Sequence, residues 1–306
     1  MSVSAKNMVI VAMPPDLAPA TRLGECLNCP VVSIEVSRFP DSETKLFVPQ
    51  SAAIAVLYCS LYEPDPKLFP LILAASALRD LGADQIILVA PYLCYMRQDK
   101  AFRRGEPVSQ KVMAQTFTPW IDHIVTVEPH LHRIKNFGDV FPDVKTTMIS
   151  AAPLLGKLLQ IKNVEQDALL IGPDEEAHDW TCATALYAGL SFATMSKTRH
   201  GDRNVRLTMD SEISVADRKV FLIDDVASTG ETLAAASKIL KARGAGDIEA
   251  LVAHALCGND DLTRLRKAGV LHLYSTDTVP HSTNAIQIAA LLAQTLETEV
   301  VDAPAY

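Results

Sequence analysis

The chain has 306 residues, 49% of them hydrophobic and 21% charged, with 28 basic against 36 acidic side chains and a formal net charge of −8. That length buries one large core or two of ordinary domain size, and two domains is the expectation. The acidic balance and the lack of any dense Lys/Arg run exclude a broad nucleic-acid footprint, whereas small anionic ligands stay open because local basic clusters can sit on an acidic surface.

The first apolar run, in MSVSAKNMVIVAMPPDL, meets Pro14 and Pro15 too early for a signal peptide, and no later run is long enough to cross a bilayer. No membrane association and a cytoplasmic location are therefore expected. Of the six cysteines only Cys26 and Cys29 form a CxxC pair. A zinc site would want a second pair or nearby histidines, so they read as ordinary thiols.

Short apolar runs then recur, each ending in a polar or turn-forming cluster: MVIVAMPPD, AIAVLYCSLYEPD, QIILVAPYLCYMRQD, HIVTVEPHLH, ALLIGPDEEA, VFLIDDVASTG and IEALVAHALCG. They read as strands buried on both faces, hence a mostly parallel sheet. Helical patterns alternate with them: LFPLILAASALRDLG, SQKVMAQTFTPWI, DWTCATALYAGL and TLAAASKILKARGA, the last closing on Lys241, Arg243 and Gly244. The alternation predicts an α/β fold whose ligands lie outside the carboxyl ends of the strands, where the polar clusters fall. A seam is expected near FPDVKTTMISAAPLLG.

The richest stretch is VFLIDDVASTGETLAAASKIL. Thr229, Gly230 and Thr232 stand at a strand-to-helix switch, where free backbone N–H groups, the helix dipole and hydroxyl donors favour an anion such as phosphate. Asp224 and Asp225 can accept hydrogen bonds from neighbouring sugar hydroxyls. Together they suggest a phosphorylated sugar; a plain Ser/Thr helix cap is the structural alternative.

This pattern resembles the phosphoribosyl-pyrophosphate motif of the type I phosphoribosyltransferase fold. SRFPDSET and PYLCYMRQDKAFRRGEPVSQKVMAQ narrow the resemblance to the ribose-phosphate pyrophosphokinases, or phosphoribosyl pyrophosphate synthetases. TVEPHLHRIKNF, IGPDEEA, SKTRHGDRN and STDTVP follow in that family's order, so the resemblance runs from Arg38 to Pro280. Ser228, VEPH and FRRGEPVS look closest to its archaeal-type, class III-like branch.

The resemblance implies two tandem phosphoribosyltransferase type I-like α/β domains, each a mostly parallel sheet flanked by helices. Residues 1–147 would carry the ATP base site and residues 148–306 the ribose 5-phosphate site, with the last helix available to pack back on the first domain. Phe39 can stack on a base and Asp41 and Glu43 can accept from it or from ribose; with Ser42 they form the expected adenine segment. Arg97, Gln98 and Asp99 follow a strand and are placed on ATP, an arginine fork suiting phosphate oxygens. Arg103 and Arg104 read first as solvated charges, with a place near the triphosphate as the minor reading.

His130 and His132 would share a face of an extended segment. The resemblance makes His130 the magnesium-associated histidine and Asp174 the second position, with His132 a bystander; magnesium prefers oxygen, so His130 would act through a water or on phosphate. Asp224 and Asp225 would hold the ribose, and Ser228, Thr229, Gly230, Glu231 and Thr232 its 5-phosphate. Lys197 and Arg199 fall on the family's Lys-x-Arg, in a polar stretch without apolar period that predicts a mobile loop closing over the triphosphate.

The expected activity is diphosphoryl transfer from Mg-ATP to ribose 5-phosphate in a homodimer or larger homo-oligomer, with no nucleic acid or membrane partner. The absence of a GxxxxGK[ST] loop is consistent with it. A non-catalytic regulatory homologue and a phosphoribosyltransferase are the alternatives. Family members with a glycine at position 231 lack the negative charge that Glu231 brings to the phosphate turn.

Overall fold

The computed structural model describes residues 7–131, 134, 136–200, 204–208 and 213–301, and the side chains at 197–200, 204–208 and 300–301 fall outside that description. The chain divides into two units: one runs to Ile149 and resumes at Ile288, the other is Ser150–Gln287.

The first unit contains β1 (Met8–Ala12), α1 (Leu17–Leu27), β2 (Val31–Ser33), β3 (Glu35–Arg38), β4 (Thr44–Phe47), β5 (Ile54–Tyr58), α2 (Asp65–Asp80), β6 (Gln85–Ala90), α3 (Ser109–Phe117), β7 (His123–Val127) and β8 (Lys145–Ile149). Its six-stranded sheet has the order β2-β1-β5-β6-β7-β8, every neighbour parallel. The β1, β5 and β7 segments are almost wholly buried, as continuous apolar runs should be when helices cover both faces. β3 and β4 form a separate antiparallel hairpin.

The second unit contains α4 (Ala152–Ile161), β9 (Leu169–Gly172), α5 (His178–Ala188), β10 (Ser191–Thr194), β11 (Ser196–His200), β12 (Asn204–Thr208), β13 (Val220–Ala227), α6 (Glu231–Ala242), β14 (Ile248–Ala255), α7 (Asn259–Lys267), β15 (Val270–Thr276) and β16 (Asn284–Ile286). The sheet order β10-β9-β13-β14-β15-β16, again all parallel, repeats that of the first unit, and β11-β12 repeats the hairpin.

Alternate residues of β13 serve opposite cores. Val220 and Leu222 pack with Leu233, Ala236 and Leu240 of α6, while Phe221 and Ile223 pack with Leu155 and Leu159 of α4 and Ala185 of α5. That period-two division locks the register and thereby the place of the acids at the strand's end. The final helix, α8 (Ala289–Leu296), belongs to the first unit and packs on α1. Lys145 of β8 also pairs with Glu299, which follows α8, at 2.7 Å.

One expectation is corrected. In the polar stretch expected as a loop, residues 196–200 and 204–208 form the antiparallel strands β11 and β12, with Lys197 opposite Leu207 and Arg199 opposite Val205. The stretch carries no apolar alternation in its sequence, so no strand period could be read there.

Candidate active site

In the second unit the chain leaves β9 for β10 on one side and returns to β13 on the other, so the switch point lies between β9 and β13. A crevice forms outside the carboxyl ends of such a strand pair. Asp174 follows the end of β9, and Asp224 and Asp225 stand near the end of β13, so three carboxylates flank that point.

They sense one another. Burial pushes the Asp224 carboxyl well above the ordinary carboxylate range, and the charges of Asp225 and Asp174 push it further in the same direction. The Asp225 backbone N–H donates to Asp224 Oδ1 at 3.0 Å, which only partly offsets this. Gly172 is what lets the neighbouring elements close in: a Cβ there would meet Thr181 Oγ1 at 2.8 Å and Ala177 Cβ at 3.2 Å. Asp174 itself caps the short 3-10 turn Glu175–Ala177, accepting from the Glu176 N–H at 3.2 Å.

Beyond the acids, Ser228 and Thr229 form the bend, Gly230 takes φ +68° as N-cap, and α6 starts at Glu231. Gly230 brings no side chain to cap α6, the Thr229 hydroxyl oxygen accepts from the Glu231 N–H at 3.5 Å, and Thr232 stands half-buried in the first turn. A helix N-terminus beside hydroxyls can cradle an anion, and carboxylates on the preceding strand can accept from hydroxyls of a ligand there.

In the first unit the ATP-assigned residues all follow carboxyl ends of strands. Phe39, Asp41, Ser42 and Glu43 form the tip between β3 and β4. The tip is closed tightly: Phe39 N–H donates to the Glu43 carbonyl at 2.8 Å, Ser42 sits at φ +74°, and Asp41 Oδ1 accepts from the Glu43 N–H at 3.2 Å. Asp41 and Glu43 therefore belong to a turn and do not line one face of an extended strand. Phe39 is 46% exposed, with Lys45 Nζ 5.8 Å from its ring centroid.

Arg97, Gln98 and Asp99 lie in the loop after β6, Arg97 exposed and the other two half-buried. Gln98 faces the start of α3, its side-chain oxygen accepting from the Ser109 hydroxyl. Arg103 pairs with Glu106 at 2.8 Å, consistent with a solvated surface charge. His130 is half-buried in the coil after β7, and His132 lies outside the described residues. His130 and Asp174 stand on different units.

The first unit's own switch point, between β1 and β5, is filled. Asp16, 1% exposed, accepts from the Ser60 N–H at 3.1 Å, while Lys67 Nζ donates to the Ser60 carbonyl at 2.8 Å and lies 3.3 Å from the centroid of the Tyr62 ring. Where β13 carries Asp224 and Asp225, β5 ends in buried Tyr58 and Cys59. Among the described residues the repeated architecture thus places the Asp224–Asp225 pair at one switch point and the Asp16–Lys67 group at the other. Sequence reasoning missed this plug, because MPPD and EPDPK carry no phosphate-binding pattern.

Known proteins resemble this chain along most of its length. Residues 8–119 match the family described as the N-terminal domain of ribose phosphate pyrophosphokinase, and residues 148–277 match the phosphoribosyl transferase domain. The ribose-phosphate pyrophosphokinase of Methanopyrus kandleri is 32% identical over 95% of this chain and 99% of its own. The chain belongs to the ribose-phosphate pyrophosphokinase family.

A second family member, ribose-phosphate pyrophosphokinase 2 of Archaeoglobus fulgidus, is 30% identical over 94% of this chain and all of its own. Both relatives are archaeal, in line with the archaeal-type resemblance. The fold matches the crystal structure of phosphoribosylpyrophosphate synthetase from Mycobacterium smegmatis with a TM-score of 0.79, at 23% identity, over 95% of this chain and 98% of that one.

For a divalent cation the donor chemistry fits. Hard carboxylate oxygens at Asp174, Asp224 and Asp225 accumulate negative charge that a magnesium ion would offset. Among the described residues no three His, Cys, Asp or Glu side chains converge to hold a metal by themselves. Among the described residues no helix is long and apolar enough to cross a membrane.

Proposed function

We propose that the chain transfers the β,γ-diphosphoryl group of Mg-ATP to the anomeric hydroxyl of ribose 5-phosphate, giving phosphoribosyl pyrophosphate and AMP. The anomeric oxygen forms a bond to the β-phosphorus, the bond from that phosphorus to the α,β-bridging oxygen breaks with its electrons leaving on AMP, and the hydroxyl proton passes to solvent. The observation that carries this reading is the switch point where Asp224 and Asp225 adjoin the N-terminus of α6.

On this reading Asp224 and Asp225 hold ribose hydroxyls, and the turn from Ser228 to Thr232 holds the 5-phosphate. Phe39, Asp41, Ser42 and Glu43 receive the base, and Arg97, Gln98 and Asp99 the rest of ATP. Asp174 and His130 are the residues assigned to magnesium, which when bound would supply charge neutralisation on the transferring group. Lys197 and Arg199, on one strand of a hairpin, add cationic stabilisation of the transition state. In this reading positioning and electrostatics supply the rate, without a general base.

A homo-oligomer acting in the cytoplasm completes the proposal. The test is purified protein with ribose 5-phosphate, ATP and magnesium, with AMP and phosphoribosyl pyrophosphate measured together. Equal amounts of both, dependent on ribose 5-phosphate, are expected. Binding of both ligands without AMP would point to a non-catalytic homologue, and consumption of phosphoribosyl pyrophosphate with a base to a phosphoribosyltransferase.

A further inference from the structure

The phosphate turn is held from behind by α7. Arg264 Nη1 donates to the Thr229 carbonyl at 3.1 Å and lies 3.1 Å from Asp261 Oδ1. Asp261 is itself fixed, because its Oδ2 accepts from the Gly258 N–H at 2.9 Å where α7 begins. Next to Arg264, Leu265 packs under Gly230. Consecutive residues of one helix thus grip consecutive residues of the turn.

That grip has a directional consequence. In a trans peptide the carbonyl and the next N–H point to opposite sides. With the Thr229 carbonyl fixed toward α7, the Gly230 N–H is aimed away from α7. A turn left to itself could flip this peptide and present the carbonyl, which repels phosphate, in place of the donor.

Glu231 belongs to the same arrangement. Its Oε1 lies 3.9 Å from the Arg264 Nη1 that holds the Thr229 carbonyl, so the carboxylate sits on the α7 side of the turn. Both groups are exposed, so this pair adds little stability. It does put a compensating cation beside a negative charge that would otherwise face an incoming phosphate.

We propose that Arg264 is a positioning residue for the sugar phosphate: it orients the Thr229–Gly230 peptide and offsets Glu231. The inference rests on reading residues 228–232 as the phosphate turn. Arg264 reaches the turn through the Thr229 carbonyl, so in this role it governs affinity for ribose 5-phosphate and leaves the chemistry on ATP alone.

The test is steady-state kinetics of Arg264→Ala and Arg264→Lys beside Lys267→Ala on the same helix, with ribose 5-phosphate binding measured by calorimetry. Arg264→Ala should raise KM for ribose 5-phosphate roughly tenfold or more, the loss of one charge-assisted hydrogen bond, with kcat and KM for ATP within about twofold. Arg264→Lys, which keeps the charge and a donor, should recover part of that loss. Adding Glu231→Gln to Arg264→Ala should recover roughly threefold or more, because the uncompensated carboxylate is gone. Lys267→Ala should match the unmodified protein.

An unchanged KM for ribose 5-phosphate in Arg264→Ala, an equal fall in kcat, or no recovery with Glu231→Gln would overturn the role of Arg264. A separate control decides the reading beneath it. If Asp225→Asn and Gly230→Ala also leave ribose 5-phosphate affinity untouched, the phosphate turn lies elsewhere and the whole inference falls. If those two weaken binding and Arg264→Ala does not, only the role of Arg264 fails.

Discussion

Leu265 leaves no room for a side chain at Gly230: a Cβ there would come within 3.1 Å of Leu265 Cδ1 and 3.2 Å of its Cδ2 and Cγ. Gly230 also sits at φ +68°. Sterics and backbone conformation therefore demand glycine at the same residue, and the demand comes from α7, a helix about thirty residues further along the chain. Gly230→Ala should cost about 1–2 kcal/mol of stability and raise KM for ribose 5-phosphate more than KM for ATP. Denaturant unfolding and initial rates check both; an alanine variant with unchanged stability and KM would show that the turn is not constrained in this way.

The crowded carboxylates predict a trade between stability and binding. Asp224 is held protonated more readily than an ordinary aspartate by burial, then by Asp225 and Asp174. Asp224→Asn keeps the shape and removes one of three like charges, so the ligand-free protein should gain about 0.5–2 kcal/mol. The same change should weaken ribose 5-phosphate binding by roughly tenfold or more, since a carboxylate acceptor is lost. Unfolding of the ligand-free protein and calorimetry with ribose 5-phosphate measure the two halves; a variant that loses stability while binding normally would contradict both.

Much of the frame was legible in the order of residues. The runs that became β1, β5, β6, β7, β9, β13 and β14 are continuous and apolar because helices cover both sheet faces, and that burial leaves a plain signature. The strand-to-helix turn at Gly230 was legible too, since its glycine and hydroxyls follow a buried strand. The hairpins were not: Glu35–Arg38 is exposed throughout and carries no period to read. Nor could the sequence point to Arg264, which looks like any basic residue in a helix's last turn; its meaning comes from packing across about thirty residues of chain. The Asp16–Lys67 plug was hidden for the same reason.

Two buried groups in the first unit should titrate against each other. Burial pushes the Asp16 carboxyl from 3.8 up to about 6, with Lys67 acting in the opposite sense. This favours the folded state fully below pH 3.8, and the advantage is lost as pH rises to about 6. Burial pushes His123, with Nε2 on Thr147 Oγ1 at 2.9 Å, from 6.5 down to about 4. Its contribution is present above pH 6.5 and is lost as pH falls to about 4. Each is worth on the order of 3 kcal/mol, so the slopes nearly cancel between them.

Asp16→Asn should uncover the histidine, making stability fall as pH drops from 6.5 toward 4. His123→Gln should uncover the aspartate, making stability rise over the range from about 6 toward 3.8. Urea midpoints of both variants and the unmodified protein, measured across that window, give the slopes. Identical slopes in all three would remove both assignments.

The role proposed for Lys197 is stabilisation of the transition state, so its loss should show there. Lys197→Ala should lower kcat by roughly 10²–10³ while ATP affinity changes only a few-fold. Single-turnover rates and equilibrium ATP binding separate the two effects. Equal losses in binding and turnover would make Lys197 a ground-state ligand of ATP instead.

The central claim is transfer of a diphosphoryl group from ATP to ribose 5-phosphate, and following the β-phosphorus tests it most directly. ATP labelled at its β-phosphorus is incubated with magnesium, ribose 5-phosphate and the protein, and the products are separated. The account predicts the label in phosphoribosyl pyrophosphate, with unlabelled AMP formed in equal amount. Label recovered in ADP beside a singly phosphorylated acceptor product, or no label leaving ATP while both ligands bind, would contradict it.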